Sequence, residues 1–209
     1  MRFASWREDD MSANTYLTER ERRILESAKA GIAGAGGLGS NVAMLLVRAG
    51  MKKLVIADFD AVNESNLNRQ FFFRHQLGKK KVDALAENLR LIEPDLDLSL
   101  HDVRLAPGNI DHIFAGCQII VEAFDSADAK SMLLQSLLPL GKPIVSAMGL
   151  AGWGRSNDIR TRRVGCNLII VGDHTRDVRA GFAPVGVRVS IAAAMQANSV
   201  VSLLLGEEL

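Results

Sequence analysis

Short apolar segments alternate with helical ones along most of this chain, and this alternation constrains the fold more than any other feature. The segments predicted as strands are apolar throughout, which is typical of strands buried on both faces of a parallel sheet. Helices between such strands cover the two faces, so the pattern predicts an α/β fold with a Rossmann-like, doubly wound sheet. The predicted strands are 30–34, 54–57, 118–123 and 144–147, and the helices between them are 38–49, 78–92 and 127–140.

Three further segments complete the predicted domain. Residues 96–103 alternate apolar and polar side chains, which indicates a strand at an edge of the sheet. Residues 158–163 and 167–171 are predicted as extra antiparallel strands, and 185–205 as an apolar C-terminal helix. Before all of these, Thr18 is expected to cap a short helix. We therefore expect a flexible segment over residues 1–17 and a single domain over 18–209.

Composition excludes several classes of protein. The net charge is +1, so no overall field favours nucleic acid or an anionic membrane. Cys117 and Cys166 lie 49 positions apart and form no CxxC pair, which argues against a disulfide framework or a zinc site; we expect both thiols to be buried. The N-terminal sequence has no signal-peptide core, and uninterrupted apolar runs are too short to span a membrane. A cytoplasmic protein is the expectation.

A glycine-rich turn suggests a phosphate site. Gly34, Gly36, Gly37 and Gly39 follow a predicted strand and open a predicted helix. Such a turn lets the backbone approach a phosphate, and the start of the helix offers N–H groups and partial positive charge. Asp58 ends the next strand, where a ribose-binding acid belongs in a dinucleotide fold. The glycines alone fit NAD, FAD, SAM or ATP equally well, and a turn without a ligand is the remaining alternative.

The segment from position 69 to 81 favours a nucleotide with several phosphates. It carries basic or imidazole side chains and no acid: Arg69, Arg74, His75, Lys79, Lys80 and Lys81. Cation concentrated just beyond a phosphate turn suits a triphosphate, whose charge exceeds what one helix dipole offsets. A solvated basic surface is the simpler interpretation for Lys79 and Lys80. For Lys81, a solvated position in the first turn of a helix is an alternative to phosphate binding.

Four ordered strings identify the family that the chain resembles. GAGGLGSN, DFDAVNESNLNRQ, GKKKV and EAFDSADAK resemble successive motifs of the ThiF/MoeB/HesA family, which is related to ubiquitin-activating enzymes. The resemblance runs from about residue 31 to the C-terminus. Within the family, SNLNRQ, VSAMGLAGWG and QAN at 196–198 are most similar to short ThiF-type members associated with thiamine biosynthesis.

The resemblance implies an ATP-dependent adenylyltransferase. Its substrate would be the C-terminal carboxylate of a small ubiquitin-like, ThiS-like sulfur carrier protein that ends in Gly-Gly. Pyrophosphate would leave, Mg²⁺ would accompany ATP, and the protein would be a homodimer. No zinc is expected, because the CxxC pairs of many relatives are absent. The arginine that crosses the dimer in longer members has no clear match among Arg7, Arg20, Arg22 and Arg23.

The resemblance also assigns roles to residues, one position at a time. Gly37 would lie against the phosphates, Asp58 would hold the ribose hydroxyls, and Asn66 would bind the phosphates. The other glycines of the turn and Ser126 would complete the ATP site. Arg69 would be the main cation on the phosphates, Lys81 would reach the α- or β-phosphate, and Asp125 would hold Mg²⁺. We take Arg69, Lys81 and Asp125 as the catalytic set.

One of these placements has independent support from the predicted fold. Asp125 follows a buried strand at its carboxyl end, where ligands bind in open parallel sheets.

Two other classes of function remain open at this point. A NAD- or FAD-dependent oxidoreductase would share the fold, but the roughly 60 residues after the last parallel strand scarcely supply the substrate domain it needs. A noncatalytic relative would bind carrier or nucleotide without turnover, against which the joint presence of Asp58, Arg69, Lys81 and Asp125 argues.

Overall fold

A single mixed sheet organises the structure, a computed structural model that describes residues 16–173, 175 and 181–208. Seven strands form it, in the spatial order β3-β2-β1-β4-β5-β7-β6. Their bounds are β1 Lys29–Ala33, β2 Lys53–Ala57, β3 Asp97–His101, β4 Ile119–Glu122, β5 Ile144–Met148, β6 Arg160–Val164 and β7 Leu168–Gly172.

The pairing confirms the predicted, mostly parallel sheet, but β7, which was expected to be antiparallel, joins β5 in parallel. The first five strands and β7 are parallel, and β6 pairs antiparallel with β7 at one edge. The strand with alternating side chains, β3, lies at the other edge, as predicted. The chain builds outward from β1 to β2 and β3, then returns to place β4 on the other side of β1. The order therefore reverses between β1 and β4, which is where ligands bind in such sheets.

Helices cover both faces of the sheet. One face carries α1 (Glu19–Ser27), α2 (Gly37–Arg48), α3 (Lys81–Arg90) and α6 (Gly186–Leu205), and the other carries α4 (Ile110–Ile113) and α5 (Ala127–Leu137). Residues that alternate along each strand divide between the two cores. The four-residue α4 was not predicted, because a single turn is too short to show a helical period.

The start of the domain agrees with the capping prediction. The Thr18 hydroxyl accepts a hydrogen bond from the Glu21 N–H at 3.3 Å, and the Glu21 carboxylate accepts one from the Thr18 N–H at 2.7 Å. Leu17 packs against the core. Residues 1–15, which hold most of the predicted flexible segment and Arg7, lie outside the described residues, as does His174.

The C-terminal helix α6 joins the sheet to α2. Among the described helices, α6 alone is long and apolar enough to cross a membrane. The sequence prediction missed this property, because it considered only uninterrupted apolar runs. In this fold one face of the helix packs against the core. Its small residues Ala192, Ala193 and Ala197 are buried, and so are the polar Arg188 and Gln196.

Candidate active site

The glycine turn passes between the carboxyl ends of β2 and β4. The Gly34 N–H donates to the Ala57 carbonyl at 2.9 Å, which ties the turn to the end of β2. A Cβ on Gly34 would lie 3.1 Å from the Ala123 carbonyl oxygen, just beyond β4, and its φ of +99° is strained for any other residue. Glycine at this position therefore lets the turn fit into the crevice where the strand order reverses.

Two further glycines shape the start of α2. A Cβ on Gly39 would stand 1.8 Å from the Gly34 carbonyl oxygen, so only glycine allows the helix to pack this closely on the turn. Gly36 is the N-cap and supplies no side-chain hydrogen bond to the helix. The space beside it is open, since an added Cβ would meet only the Gln70 amide nitrogen, 3.9 Å away. The first turn of α2 thus presents the open, positive helix end that an anion site requires.

Asp58 lies against this turn as predicted. Its carboxylate accepts hydrogen bonds from the N–H groups of Ala35 at 2.7 Å and Asp60 at 2.8 Å. Burial raises the pKa of the Asp58 carboxyl, while the charge of Lys81 and these two hydrogen bonds act in the opposite direction. A carboxylate has about four acceptor positions. Asp58 can therefore brace the turn and still accept hydrogen bonds from a ribose.

Lys81 is a buried residue, which makes its interpretation as a solvated lysine wrong. Only 7% of its side chain is exposed, and its ammonium group lies 2.8 Å from the Asp60 carboxylate. Its charge also acts on Asp58. The structure thus places Lys81 beside the predicted ribose acid, with Asp60 as its partner.

Most of the other cations in the basic segment are neutralised on the surface. Acids from elsewhere in the chain pair with them: Glu64 with Arg74, Glu87 with Lys79, and Asp102 with Lys80. The interpretation of Lys79 and Lys80 as a solvated basic surface therefore agrees with the structure, since both side chains are about half exposed in these pairs. Arg69 and Lys81 are the cations that lie near the glycine turn.

Arg69 lies along the start of α2. Its Cγ would be 3.4 Å from a Cβ on Gly37. Its guanidinium donates to the Ser65 carbonyl at 2.9 Å and to the Asn68 side-chain oxygen at 2.8 Å. No acid in the described part of the chain forms an ion pair with it. The fixed guanidinium therefore keeps its full charge for an anionic ligand.

Asn66 has a structural role that the sequence did not indicate. It is 5% exposed, and its side-chain oxygen accepts a hydrogen bond from the Asn63 N–H at 3.0 Å. This bond closes the short 3-10 helix that precedes Arg69. Phosphate binding by Asn66 stays a prediction.

Two residues that sequence reasoning missed fasten the Arg69 loop to α2. The Ser40 hydroxyl donates to the Gly36 carbonyl at 2.6 Å and accepts from the Phe71 N–H at 2.9 Å. The Asn41 amide donates to the carbonyls of Gly37 at 2.6 Å and Arg69 at 2.8 Å. The available signal was a pair of small polar residues in the first turns of an otherwise apolar helix.

Asp125 reaches the other side of the same crevice. It follows Ala123 at the carboxyl end of β4 and is exposed. Its carboxylate makes no hydrogen bond or ion pair with any described residue. Ser126 beside it is the N-cap of α5 and accepts from the Ala129 N–H at 3.5 Å. Asp125 is therefore free to bind a ligand, whereas Ser126 has a helix-capping role.

A buried ion pair that was also missed fixes this turn. Glu122, the last residue of β4, is fully buried and accepts two hydrogen bonds from Lys130, at 2.9 and 3.0 Å. It also accepts from the Ser146 hydroxyl and from the Phe124 N–H, at 2.5 and 2.7 Å. The carboxylate thus ties the residues before Asp125 to α5 and β5.

The site fits Mg²⁺ only together with a nucleotide. Across the described residues, no group of three or more His, Cys, Asp or Glu side chains is placed to hold a metal. Protein-bound Mg²⁺ often uses one or two carboxylates, substrate phosphates and water. One exposed carboxylate at the crevice, Asp125, matches that mode.

The two cysteines lie away from the crevice. Cys117 is buried, and burial raises the pKa of its thiol to about 11 against the charges of Lys142 and Lys29. Cys166 is exposed in the turn between β6 and β7, so the prediction of a buried thiol was wrong for this residue. Both lie just before the amino ends of parallel strands, whereas the glycine turn lies at the carboxyl ends.

Two neighbouring aromatic residues in the loop after Arg69 differ in burial. Phe72 is 5% exposed and packs in the core, whereas Phe73 is 47% exposed. Trp153, 67% exposed, lies after the carboxyl end of β5.

The fold and the site define a class of protein: a doubly wound α/β domain whose glycine turn, predicted ribose acid and neighbouring cations meet at the reversal of strand order, where such domains bind ligands. Within that class the chain belongs to the ThiF family, whose model matches residues 10–209.

Curated relatives agree with this assignment. The adenylyltransferase and sulfurtransferase uba4 of Aspergillus niger is 39% identical over 132 residues, which are 63% of this chain and 27% of that protein. The probable adenylyltransferase/sulfurtransferase MoeZ of Mycobacterium tuberculosis is 33% identical over 125 residues, 59% of this chain and 32% of that protein. The chain thus spans only about a quarter to a third of the length of these relatives.

Solved structures show the same fold. The AMP complex of the Escherichia coli tRNA N6-threonylcarbamoyladenosine dehydratase TcdA gives a TM-score of 0.84 with 19% sequence identity, over 93% of each chain. The E. coli MccB complex with ATP gives 0.68 with 19% identity, over 88% of this chain and 57% of that one.

Proposed function

We propose that this chain uses ATP to adenylate the C-terminal carboxylate of a small ubiquitin-like sulfur carrier protein. The observation that carries the proposal is the meeting, where the strand order reverses, of the open α2 N-terminus, Asp58 and Arg69, which has no ion pair among the described residues. Membership of the ThiF family supports it, and so do the names of the curated relatives. The neighbours TcdA and MccB bind AMP and ATP on the same fold.

The chemistry asks little of the protein beyond position and charge. A carboxylate is ionised at neutral pH and can attack the α-phosphate directly. Negative charge on the phosphoryl oxygens then has to be stabilised as pyrophosphate leaves. Arg69, the α2 N-terminus and Lys81 would supply that stabilisation, and Asp58 would hold the ribose. Asp125 would hold Mg²⁺, which neutralises phosphate charge when bound.

Lys81 takes part in this scheme only if it exchanges partners. Its ammonium group is bound to Asp60, whose carboxylate is about half exposed. An arriving phosphate would compete for the same ammonium group. We therefore propose that Asp60 holds Lys81 in position until nucleotide binds.

Exchange of labelled pyrophosphate into ATP tests the function. Purified protein with Mg²⁺ and a carrier ending in Gly-Gly is expected to catalyse the exchange. The same carrier without its two terminal glycines should give none, because the attacking carboxylate would no longer reach the α-phosphate. Reduction of NAD without any exchange would refute the proposal and favour an oxidoreductase.

Two finer parts of the proposal concern the partners. We propose a ThiS-like carrier of thiamine thiazole biosynthesis, because of the short ThiF-type strings in the sequence. Comparing exchange with thiamine-pathway and molybdopterin-pathway carriers tests this, and equal rates would contradict it.

We also propose a homodimer formed along the outer face of α6. Val187 on that face is 59% exposed. An open concavity of about 520 Å³, lined in part by Ile191, Ala194 and Met195, lies against β6. Apolar exposure of this kind on a long helix is typical of a face that packs against another protein.

A further inference from the structure

The side chain of Gln70 is a buried amide without a partner. Gln70 is only 8% exposed, and its side-chain oxygen is enclosed without a hydrogen bond. Its amide nitrogen also donates to no residue in the described part of the chain. Buried amides in proteins are nearly always hydrogen-bonded, so an unpartnered one calls for an explanation.

The backbone around Gln70 is fixed against the first turns of α2. On one side, the Arg69 carbonyl accepts from the Asn41 amide at 2.8 Å. On the other, the Phe71 N–H donates to the Ser40 hydroxyl at 2.9 Å. The Gln70 N–H itself donates to the Asn66 carbonyl at 2.9 Å. The backbone of residue 70 is therefore held in place by these hydrogen bonds, and the side-chain amide does not contribute to them.

The amide is directed at the open end of the helix. Its nitrogen lies 3.9 Å from the position that a Cβ on Gly36 would occupy. Gly36 is the N-cap of α2 and has no side chain to satisfy the first N–H groups. A larger residue at position 36 would fill the space between the amide and the helix end. Two sets of N–H donors, one from the backbone and one from Gln70, thus border the same space.

We propose that Gln70 is a phosphate-binding residue, whose side-chain N–H donates to an oxygen of the anion at the start of α2. The inference rests on the proposed function, because it takes the anion to be the phosphate chain of the nucleotide. An anion accepts hydrogen bonds only, so it selects the N–H end of the amide. Gln70 adds a neutral, directional donor to the charge of Arg69. The anion would pair with the free nitrogen of the amide, while the enclosed oxygen stays without a hydrogen bond.

Isothermal titration of Gln70→Leu with AMP, pyrophosphate and adenosine tests the assignment. Leucine is close in volume and has no donor. AMP and pyrophosphate should bind at least about tenfold more weakly, because a hydrogen bond to a charged group is lost. Adenosine, which has no phosphate, should bind unchanged. Gln70→Glu should weaken both anions further, since it places a negative charge beside them.

Thermal unfolding separates this role from a structural one. Replacing an unpartnered buried amide with an apolar group of similar shape leaves stability unchanged or raises it. Gln70→Leu should therefore keep or raise the melting temperature while binding of anions falls. Gln196→Leu is the matched control, because the Gln196 side chain has the same enclosed, unpartnered oxygen, but its nitrogen donates to the carbonyls of Glu122 and Val145, both at 3.1 Å. That variant should melt at a lower temperature.

The outcomes distinguish this inference from the proposed function. Unchanged affinity of Gln70→Leu for AMP and pyrophosphate would overturn the inference while leaving adenylation intact. A melting temperature lowered as much as in Gln196→Leu would overturn it as well, by showing a structural role. Tenfold weaker phosphate binding in a protein that shows no pyrophosphate exchange would support the inference and refute the activity.

Discussion

Removing the Glu122 carboxylate should destabilise the protein far more than removing a surface acid. Glu122→Ala would leave the mostly buried Lys130, whose side chain is 18% exposed, without its counter-charge. It would also leave the Ser146 hydroxyl and the Phe124 N–H without their acceptor. Breaking a buried ion pair by removing one partner costs about 3–5 kcal/mol. The two hydrogen bonds that the carboxylate accepts from Ser146 and Phe124 are lost as well, so we expect a loss of at least about 3 kcal/mol.

Urea unfolding followed by circular dichroism measures this loss. In thermal unfolding of a domain of this size, the same loss of about 3 kcal/mol would lower the melting temperature by roughly 6–12 °C. Glu93→Ala is the matched control, because Glu93 pairs with Lys52 at 3.3 Å on the surface, with side chains 28% and 34% exposed. A pair of that kind contributes at most about 1 kcal/mol. Equal effects of the two variants would refute the reasoning that burial makes the Glu122 pair essential.

A double-mutant cycle with Lys130→Met apportions the effect. Each single variant leaves one buried charge without its partner, whereas the double variant leaves neither. The double variant should therefore be less destabilised than the sum of the two singles. Additive losses would show that the two charges do not interact in the folded protein.

The remaining predictions concern activity and assembly. Arg69→Ala and Lys81→Ala should each lower turnover by roughly 10²–10³-fold at saturating carrier, and a Lys81→Ala variant with most of its turnover would refute the role of Lys81. Asp58→Asn should chiefly raise the KM for ATP, because ribose binding is the same in the ground and transition states; an equal fall in kcat would contradict this. Asp125→Ala should slow exchange and raise the Mg²⁺ concentration for half-maximal rate, whereas an unchanged Mg²⁺ dependence would exclude Asp125 as a ligand. Light scattering at micromolar concentration should give twice the 22.7 kDa of one chain, and Val187→Glu should shift it towards the monomer; a wild-type monomer would contradict the dimer.

The sequence was sufficient for those features that a local pattern determines. Apolar runs located the buried strands, alternation identified β3 as an edge strand, and Thr18 with Glu21 marked the start of α1. The glycines were informative because a left-handed turn and a close helix approach each exclude a side chain. The resulting fold brings Gly34, Asp58 and Asp125 to one crevice. Each of them follows the carboxyl end of a strand, and in a parallel sheet these ends lie together.

Contacts between side chains distant in the chain could not be predicted from the sequence. Lys79 and Lys80 belong to one basic run, yet their acids lie 8 and 22 positions further on, at Glu87 and Asp102. Lys81 follows them directly and is buried. Nothing local separates the three lysines, because the difference arises only when α3 packs against the sheet. Gln70 was overlooked for the same reason, since an amide is recognised as unpartnered only when all its neighbours are known.

The chain offers a natural attachment point for a reporter group. Thiol reagents react with the thiolate, which the raised pKa of the enclosed Cys117 suppresses. Cys166 is the other of only two cysteines, and it is exposed in a hairpin turn. A maleimide dye should therefore modify one position, across the sheet from the glycine turn. A fluorophore there would record rotational diffusion or surface immobilisation of the unmutated protein without occupying the nucleotide crevice.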